Sequence, residues 1–496
     1  MQYEAVIGLE VHVQIRTATK MFCSCPNRYG EPPNTLVCPV CLGYPGVMPV
    51  MNRTAVERTL LAGLMCGCTV APYSKFDRKN YFYPDMPKNY QISQYDLPLC
   101  TGGGVAVGGT GFSGEPLAEK QIGLTRIHLE EDVGKSTHFA RYSVVDYNRA
   151  GVPLMEIVSE PDMRTPDEAY AYLTALKQIM QYAEISDCDM EKGQMRVDVN
   201  VSVRPRGQAA FGCKIEIKNL NSFRAVHRSL EYEIGRQIEC LEEGEPLQQE
   251  TRRWDDSAGV TTVMRTKEQA HDYRYFPEPD LMPVEVAPEW IERLQGSLPE
   301  SPAARRARFV EEYRITEYDA DVLTQEKPLA DFYEAAASAS PNPKAVANWV
   351  MTELLGRLSD MGRPIGESPV SPVALAELVE LIEEGTISGK IAKDVFERMV
   401  ESQRMPRQIV DEQGLRQVTD TGAIDEYVER AVDENPDVVA QVQGGKTKAL
   451  QYLVGQVMKF SRGKANPRMV VRALEENLGR QLEPIHKGSG ATPGAR

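Results

Sequence analysis

The chain has 496 residues, enough for about three domains and a large buried core, and its 42% hydrophobic and 26% charged content is that of an ordinary globular protein. Its 56 Lys and Arg against 71 Asp and Glu leave a net charge of −15, which excludes a generally basic nucleic-acid coat but not a local basic patch. No apolar run reaches the ~20 residues of a membrane span; the longest, Leu60 to Val70, is short and holds two cysteines, and the N-terminus MQYEAVIGLEVHV reads as a strand rather than a signal, so a cytoplasmic location is expected.

The first strand sets a pattern that recurs along the chain. Leu9, Val11, Val13 and Ile15 alternate with Glu10, His12 and Gln14, and side chains of a strand change face at every residue. Next comes the cysteine cluster. Cys23-x-Cys25 and Cys38-x2-Cys41 form two paired knuckles, with Pro26, Gly30, Pro32, Pro33 and Pro39 in and around the loop. Four thiolates so spaced suit tetrahedral Zn²⁺, and a closed four-cysteine set leaves no position for water, which makes the role structural. Cys66 and Cys68 lie in an apolar helix-like run and are expected in the core.

Residues 76–91 are dense in Lys, Arg, Asn and Tyr, the composition of a binding loop. The Gly102 to Gly114 run lacks both a lysine and a following helix, so it reads as a hairpin rather than a phosphate loop. Three further strands repeat the first pattern. Arg126, His128 and Glu130 alternate with Ile127 and Leu129, and Glu131 and Asp132 follow. Arg196, Asp198, Asn200, Ser202 and Arg204 alternate with Val197, Val199, Val201 and Val203, and Lys214, Glu216 and Lys218 with Ile215 and Ile217. One such face is ordinarily just solvated. Four, each with a carboxylate and two with histidine, point to a Mg–nucleotide phosphate site, with Arg149, Arg196 and Lys218 as cations for phosphate oxygens.

Thr165-Pro166-Asp167-Glu168 opens a helix with a capping threonine, proline at the first position and a glutamate that closes a capping box. Leu173, Leu176, Ile179, Met180 and Ala183 form its apolar stripe. A second helix spans Ser222 to about Glu243, before Gly244, with Val226, Leu230, Ile234, Ile238 and Leu241 on one face. The fold class expected is α+β, a mostly antiparallel sheet with helices on one side, over residues 1–290.

From about 291 strand alternation gives way to helical periodicity. Residues 338–343 read as a loop, and Pro372 to Ser402 as amphipathic helix broken near Gly385 and Gly389. The expected division is an all-α domain over 291–414, a small helical tail domain over 415–485 and a disordered end over 486–496. Between Lys446 and Arg472 lie seven basic residues and no acidic one: Lys446, Lys448, Lys459, Arg462, Lys464, Arg468 and Arg472. With few aromatics among them they suit the backbone of a structured RNA, or else a solvated helix face. Gly445-Lys446-Thr447 mimics the end of a P-loop, but Ala440 stands where its first glycine belongs.

Long motifs carry a further identification: IGLEVHVQ (7–14), KFDRKNYFYPDMPKNYQISQ (75–94), HLEEDVGKSTH (128–138), DYNRAGVPLMEIVSEPDMRTPDEA (146–169), RVDVNVSVRP (196–205), EIKNLNSF (216–223), DYRYFPEPDL (272–281) and GTISGKIAKDVF (385–396). With them the chain closely resembles, to about residue 483, the B subunits of the tRNA-dependent amidotransferases, the GatB/GatE family. The resemblance implies a cradle domain distantly like glutamine synthetase, then a helical domain, then a small helical tail that grips tRNA. It implies a carbon–nitrogen ligase that uses Mg²⁺ and ATP to phosphorylate the side-chain carboxylate of Glu or Asp mischarged on tRNA(Gln) or tRNA(Asn), and then amidates it with ammonia. No glutaminase nucleophile is evident here, so ammonia would come from an amidase A subunit, with a small C subunit completing a heterotrimer. By motif, Glu10, His12, Glu130 or Glu131, Asp198 and Glu216 would serve Mg and phosphate. Strand alternation favours Glu130 and the family motif Glu131. Lys79 and Lys88 would line the ammonia path or hold phosphate. The rival readings are a free-standing ligase acting on a small acid and a non-catalytic tRNA adaptor. No membrane or DNA partner is expected.

Overall fold

The computed structural model describes residues 2–266, 272–417, 421–443, 447–461 and 464–479. The chain separates into two units, Met1–Arg305 and Arg306–Arg496.

The first unit is built on a ten-stranded sheet. Its main strands are β1 (Tyr3–Gln14), β2 (Pro116–Glu131), β3 (Pro153–Ser159), β4 (Met195–Pro205), β5 (Ile215–Leu220), β6 (Glu250–Asp255) and β7 (Val260–Thr266). The spatial order is β7-β6-β5-β4-β1-β3-β2, continued by the short strands Cys100–Thr101 and Thr69–Val70, with Gly104–Thr110 also paired to β2. The expected antiparallel pairing holds except between β5 and β6, which run parallel. The reason is the connection: helix α3 (Phe223–Glu243) joins them as a crossover, and a crossover helix returns the chain in the same direction.

The apolar sides of the strands face α3, α1 (Arg53–Met65) and α2 (Pro166–Tyr182). Leu9, Val11, Val13, Ile127, Leu129, Val199 and Ile217 form one cluster with Val56, Leu60, Leu173, Leu176, Val226 and Leu230. Cys66 and Cys68 belong to that core, as expected. Gly104–Thr110 and β2 make the hairpin expected of the glycine run.

Two helix ends refine the sequence reading. Thr165 caps α2 by accepting the Glu168 N–H, but the Glu168 carboxylate accepts the Arg164 N–H at 2.6 Å rather than that of Thr165, so the capping box is displaced by one residue. Ser222 caps α3 and Gly244 ends it at φ 74°. In the second half of α3 the buried positions are Glu233 and Gln237, while Ile234 and Ile238 are half-buried and Leu241 is exposed. A polar network explains the departure. Glu233 binds Arg236 at 2.6 Å and Thr261 at 2.7 Å, and Arg252 also binds Thr261. A satisfied buried carboxylate turns that face inward in place of the aliphatic stripe.

The second unit is helical. Phe309, Tyr313 and Tyr333 meet edge-to-face in its core. Residues 339–342 are the short link between the helices Lys327–Ser338 and Pro343–Trp349, the second capped by Asn342. The expected break between Pro372–Glu383 and Gly389–Ser402 is present. Helices Thr421–Asp433, Thr447–Phe460 and Pro467–Asn477 supply a separate core of Ile424, Val428, Leu453, Val457, Val470 and Leu474. Residues 486–496 lie outside the described residues. Among those described, no helix is long and apolar enough to cross a membrane.

Two glycines in helices should respond oppositely to alanine. Gly235 on α3 has nothing within 4 Å of an added Cβ, so Gly235→Ala should raise stability by about 1 kcal/mol through helix propensity. At Gly63 on α1 the Cβ would stand 2.4 Å from Cys100 Sγ, and an overpacking cost of about 1–3 kcal/mol outweighs the same gain. Thermal unfolding of the two variants checks the signs.

Candidate active site

The polar sides of the central strands carry two separate acidic clusters. In the first, β1 sets His12 opposite Glu156 of β3, and β3 sets Glu156 opposite His128 of β2. His12 Nε2 lies 3.3 Å from Glu156 and 3.7 Å from Glu130. His128 Nε2 lies 3.5 Å from Glu156 and 3.8 Å from Glu130. Arg126 donates to His128 Nδ1 at 3.3 Å, which leaves Nε2 turned toward the carboxylates. Ser93 donates to Glu130 at 3.1 Å.

The electrostatics follow from burial and pairing. Burial lifts the Glu156 carboxyl, but the hydrogen bond to His12 and the charges of His128, His12 and Lys79 outweigh it and hold it well below the usual carboxylate range. Glu130 is pushed up by burial and by Glu156, yet the hydrogen bond to His128 with His12 and Lys79 brings it below its ordinary value. Burial disfavours the His12 cation, but Glu156 and Glu130 raise it above 6.5 against that cost. Lys79, with its ammonium 5.0 Å from the centre of the Tyr273 ring, is likewise raised despite burial, first by Glu130.

In the second cluster Glu10 stands opposite Asp198, and Glu216 of β5 opposite Asn200. One ligand atom from each of Glu10, Asp198 and Glu216 falls within 4.8 Å of the others, as it does for His12, Glu130 and Glu156. Asn200 donates to Glu10 at 2.9 Å and Thr251 to Glu216 at 2.7 Å. Lys218 Nζ bridges two of the three carboxylates, 2.5 Å from Asp198 and 3.1 Å from Glu216. Glu10 and His12 are two residues apart on one strand, so the clusters are neighbours at about 7 Å along it.

Asp132 is the hub between the remaining cations. Arg196 binds it in a two-pronged contact at 3.0 and 3.1 Å, Arg149 Nε lies at 3.7 Å, and Gln14 donates at 2.8 Å. Arg149 also donates to the carbonyls of Val133 and Gly134. Glu131, adjacent to Glu130, points to the other side of β2. There it pairs with Lys88 and accepts the Ile92 N–H, next to a small cavity of ≈20 Å³ lined in part by Phe22, Cys23, Cys41 and Gly151.

The expected site residues are therefore dealt into groups. Glu10, Asp198, Glu216 and Lys218 meet, His12 meets Glu130, Arg149 and Arg196 share Asp132, and Glu131 meets Lys88 beside the cysteines. Sequence reasoning missed Glu156, the one carboxylate in the apolar strand PLMEIVS, where no alternating polar face points to it.

Cys23, Cys25, Cys38 and Cys41 converge with their sulfurs within 4.8 Å of one another. The Cys38 and Cys41 sulfurs are 3.9 Å apart, near the ~3.8 Å edge of a tetrahedron with 2.3 Å Zn–S bonds. The hydrogen bond from Cys23 helps lower the Cys41 thiol to about 5. A soft tetrahedral cation fits this donor set.

Of the basic residues in the tail, Lys448, Lys459 and Arg472 are exposed on helices, and Arg472 pairs with Glu476 at 2.9 Å. Lys464 donates to the Gly414 carbonyl. Lys446 and Arg462 lie outside the described residues, and Arg468 is in the helix Pro467–Asn477.

Residues 5–292 match the family described as GatB/GatE catalytic domain, and residues 331–478 that described as GatB domain. A protein of Carboxydothermus hydrogenoformans, named as the B subunit of an aspartyl/glutamyl-tRNA(Asn/Gln) amidotransferase, is 56% identical over 96% of this chain and 99% of its own length. Proteins of the same name from Caldanaerobacter subterraneus and Moorella thermoacetica are each 55% identical over 96% of this chain and 100% of their own.

Two outcomes test the electrostatics. In the metal-free chain the His12 imidazole should titrate above 6.5 by NMR, and Glu156→Gln should bring it down by removing the partner that offsets burial. Because the folded value is raised, the stability His12 contributes is present at low pH and lost as pH rises through that value. Lys218→Met should tighten Mn²⁺ binding at Glu10, Asp198 and Glu216 roughly tenfold, the low end of a charged hydrogen bond, as measured by electron paramagnetic resonance.

Proposed function

Since the chain belongs to the GatB/GatE family, we propose that it is the transamidating subunit of a tRNA-dependent amidotransferase: it phosphorylates the side-chain carboxylate of Glu or Asp mischarged on tRNA(Gln) or tRNA(Asn) and converts the acyl phosphate to the amide. The observation that carries this reading is the pair of acidic clusters side by side on one sheet face, flanked by Lys79, Arg196, Arg149 and Lys218.

The chemistry requires such a face. A carboxylate is a poor acyl donor because its leaving group is oxide. Attack of the carboxylate oxygen on the γ-phosphorus of ATP breaks the bond to ADP and leaves an acyl phosphate. Ammonia then adds to the acyl carbon, phosphate leaves, and the nitrogen gives up a proton. Two anions meet in the first step, and their repulsion is the barrier to be lowered. His12, Glu130 and Glu156 would hold one Mg²⁺ and Glu10, Asp198 and Glu216 another; bound there, the ions supply neutralisation of phosphate oxygens. Lys218 and Arg196 exchange their carboxylate partners for phosphate oxygens as ATP enters. Lys79 stays protonated and opposes the charge that develops near Glu130.

Ammonia is assigned to the Lys88–Glu131 side. The ≈20 Å³ cavity there holds one molecule the size of water or ammonia. The source is an amidase A subunit, with a small C subunit completing a heterotrimer. Zn²⁺ held by Cys23, Cys25, Cys38 and Cys41 is structural. The chain's parts are the cradle over 1–290, the helical domain over 291–414 and the tail over 415–485, whose Lys448, Lys459, Lys464 and Arg472 contact tRNA phosphates. The setting is cytoplasmic.

The test joins the chain to its A and C partners and supplies mischarged Glu-tRNA(Gln) or Asp-tRNA(Asn) with ATP, Mg²⁺ and glutamine. Release of Gln or Asn is expected. Glu156→Gln should cut ATP-dependent acyl phosphate formation at least 100-fold while tRNA binding persists. Wild-type turnover in that variant would support a tRNA adaptor instead, and activity on free acids without tRNA would support a free-standing ligase.

A further inference from the structure

Lys20 is one of the most completely buried side chains of the first unit, at 1% exposure. Its ammonium donates to the Tyr147 carbonyl at 3.3 Å and stands 3.7 Å from Cys41 Sγ. Among the described residues no carboxylate lies within the 4.0 Å of an ion pair to Lys20; Glu131, on the same side, is committed to Lys88. A buried ammonium without a counter-charge is among the costliest groups a protein can hold. Of its two contacts the Tyr147 carbonyl carries no charge, so the charge that offsets the ammonium has to come from the sulfur side.

The missing charge is available from the cysteine cluster. Four thiolates around one divalent zinc carry a net charge of −2, and Cys41, the sulfur beside Lys20, is buried while Cys23 and Cys38 are half-buried. We propose that Lys20 is the counter-cation of the four-thiolate metal centre and couples that centre to the loop that carries Arg149. The ammonium halves the net charge of the centre and hydrogen-bonds one of its sulfurs. Its second bond, to Tyr147, fixes the start of the 147–151 turn. The end of that turn is fixed by the same segment: Met21 N–H donates to the Gly151 carbonyl at 2.7 Å, and a Cβ on Gly151 would lie 3.4 Å from Cys41 Cβ and 3.6 Å from Lys20 Cδ. Arg149, held between these anchors, reaches Val133, Gly134 and Asp132. Lys20 is thus a positioning residue with one hand on the metal ligands and the other on the turn that carries Arg149.

The inference rests on the reading of the cysteines as a zinc site, and its test separates the two. The full-length chain is loaded with Zn²⁺ and challenged with a graded chelator, and in parallel loaded with Co²⁺ to read the sulfur-to-cobalt charge-transfer band. Lys20→Met should release zinc at 10- to 100-fold lower chelator concentration, the scale of losing a partner of a metal ligand. Its band should move to longer wavelength, because an uncompensated thiolate gives up electrons more easily. Lys20→Arg, which keeps the charge, should stay near wild type, and Lys20→Gln, which keeps a donor without charge, should fall between. These two keep the comparison decisive if the methionine variant fails to fold. Equal zinc retention and an unmoved band in the Gln and Arg variants overturn the role of Lys20 alone. A wild-type chain that binds neither metal overturns the zinc reading with it.

Discussion

The first unit is organised around the burial of two like charges. Glu130 and Glu156 stand on adjacent strands, both under 10% exposed, and each makes ionisation of the other harder. Both are nevertheless held below the usual carboxylate range. That is possible only because basic groups converge from three places: His12 from the neighbouring strand β1, His128 from β2 itself, and Lys79 from the Asp77–Asn80 strand. The last of these depends on distant sequence. Arg78, beside Lys79, is locked to Glu278 by a two-pronged contact at 2.7 Å, and Phe276 pairs with Arg78 in the ladder. The DYRYFPEPDL segment therefore holds the strand from which Lys79 reaches the carboxylates.

The second cluster solves the same problem by another route. Glu10, Asp198 and Glu216 have no histidine among them; Lys218, two residues along β5 from Glu216, enters between the carboxylates. In both clusters the neutralising group is attached to the protein and able to yield: an imidazole can lose its proton and a lysine can swing on its four-carbon stem. A face arranged in this way keeps its charge balanced without ligands and frees negative charge for divalent cations, or positive charge for phosphate, when these arrive. Arg196 and Arg149 extend the logic through Asp132, whose carboxyl they hold low against its burial.

Much of this is legible in the amino-acid sequence. Period-two alternation exposes the polar face of β1, β2, β4 and β5, because a strand has no freedom over which side a residue takes. Thr165, Ser222 and Gly244 mark helix ends because cap chemistry is local. What stays hidden depends on contacts across the fold. The inward turn of Glu233 requires Arg252 and Thr261, which lie 19 and 28 residues further along. Glu156 escapes notice because its strand is nearly all apolar, so alternation gives no cue; only the register to His12 and His128 reveals its role. The parallel step from β5 to β6 is concealed for a similar reason, since local pattern does not record strand direction.

The consecutive residues Glu130 and Glu131 show how tightly these levels are tied. Motif similarity offers both for one task, yet β2 cannot present both to one face. Glu130 joins the histidines, while Glu131 goes to the other side with Lys88, Ile92 and the wall of the cysteine knuckle. Slipping β2 by one residue would turn each to the opposite face, so only the native register keeps Glu130 beside the histidines and Glu131 beside Lys88 together. That slip is opposed on both sides at once: by the ladder that pairs Glu130 with Leu154 and Glu131 with Pro153, and by the Ser93 and Ile92 hydrogen bonds that receive each carboxylate separately. The register of one strand end thereby fixes both the acidic cluster on the polar face and the ion pair that borders the cysteines, and a disturbance on either side is felt within a single peptide unit on the other.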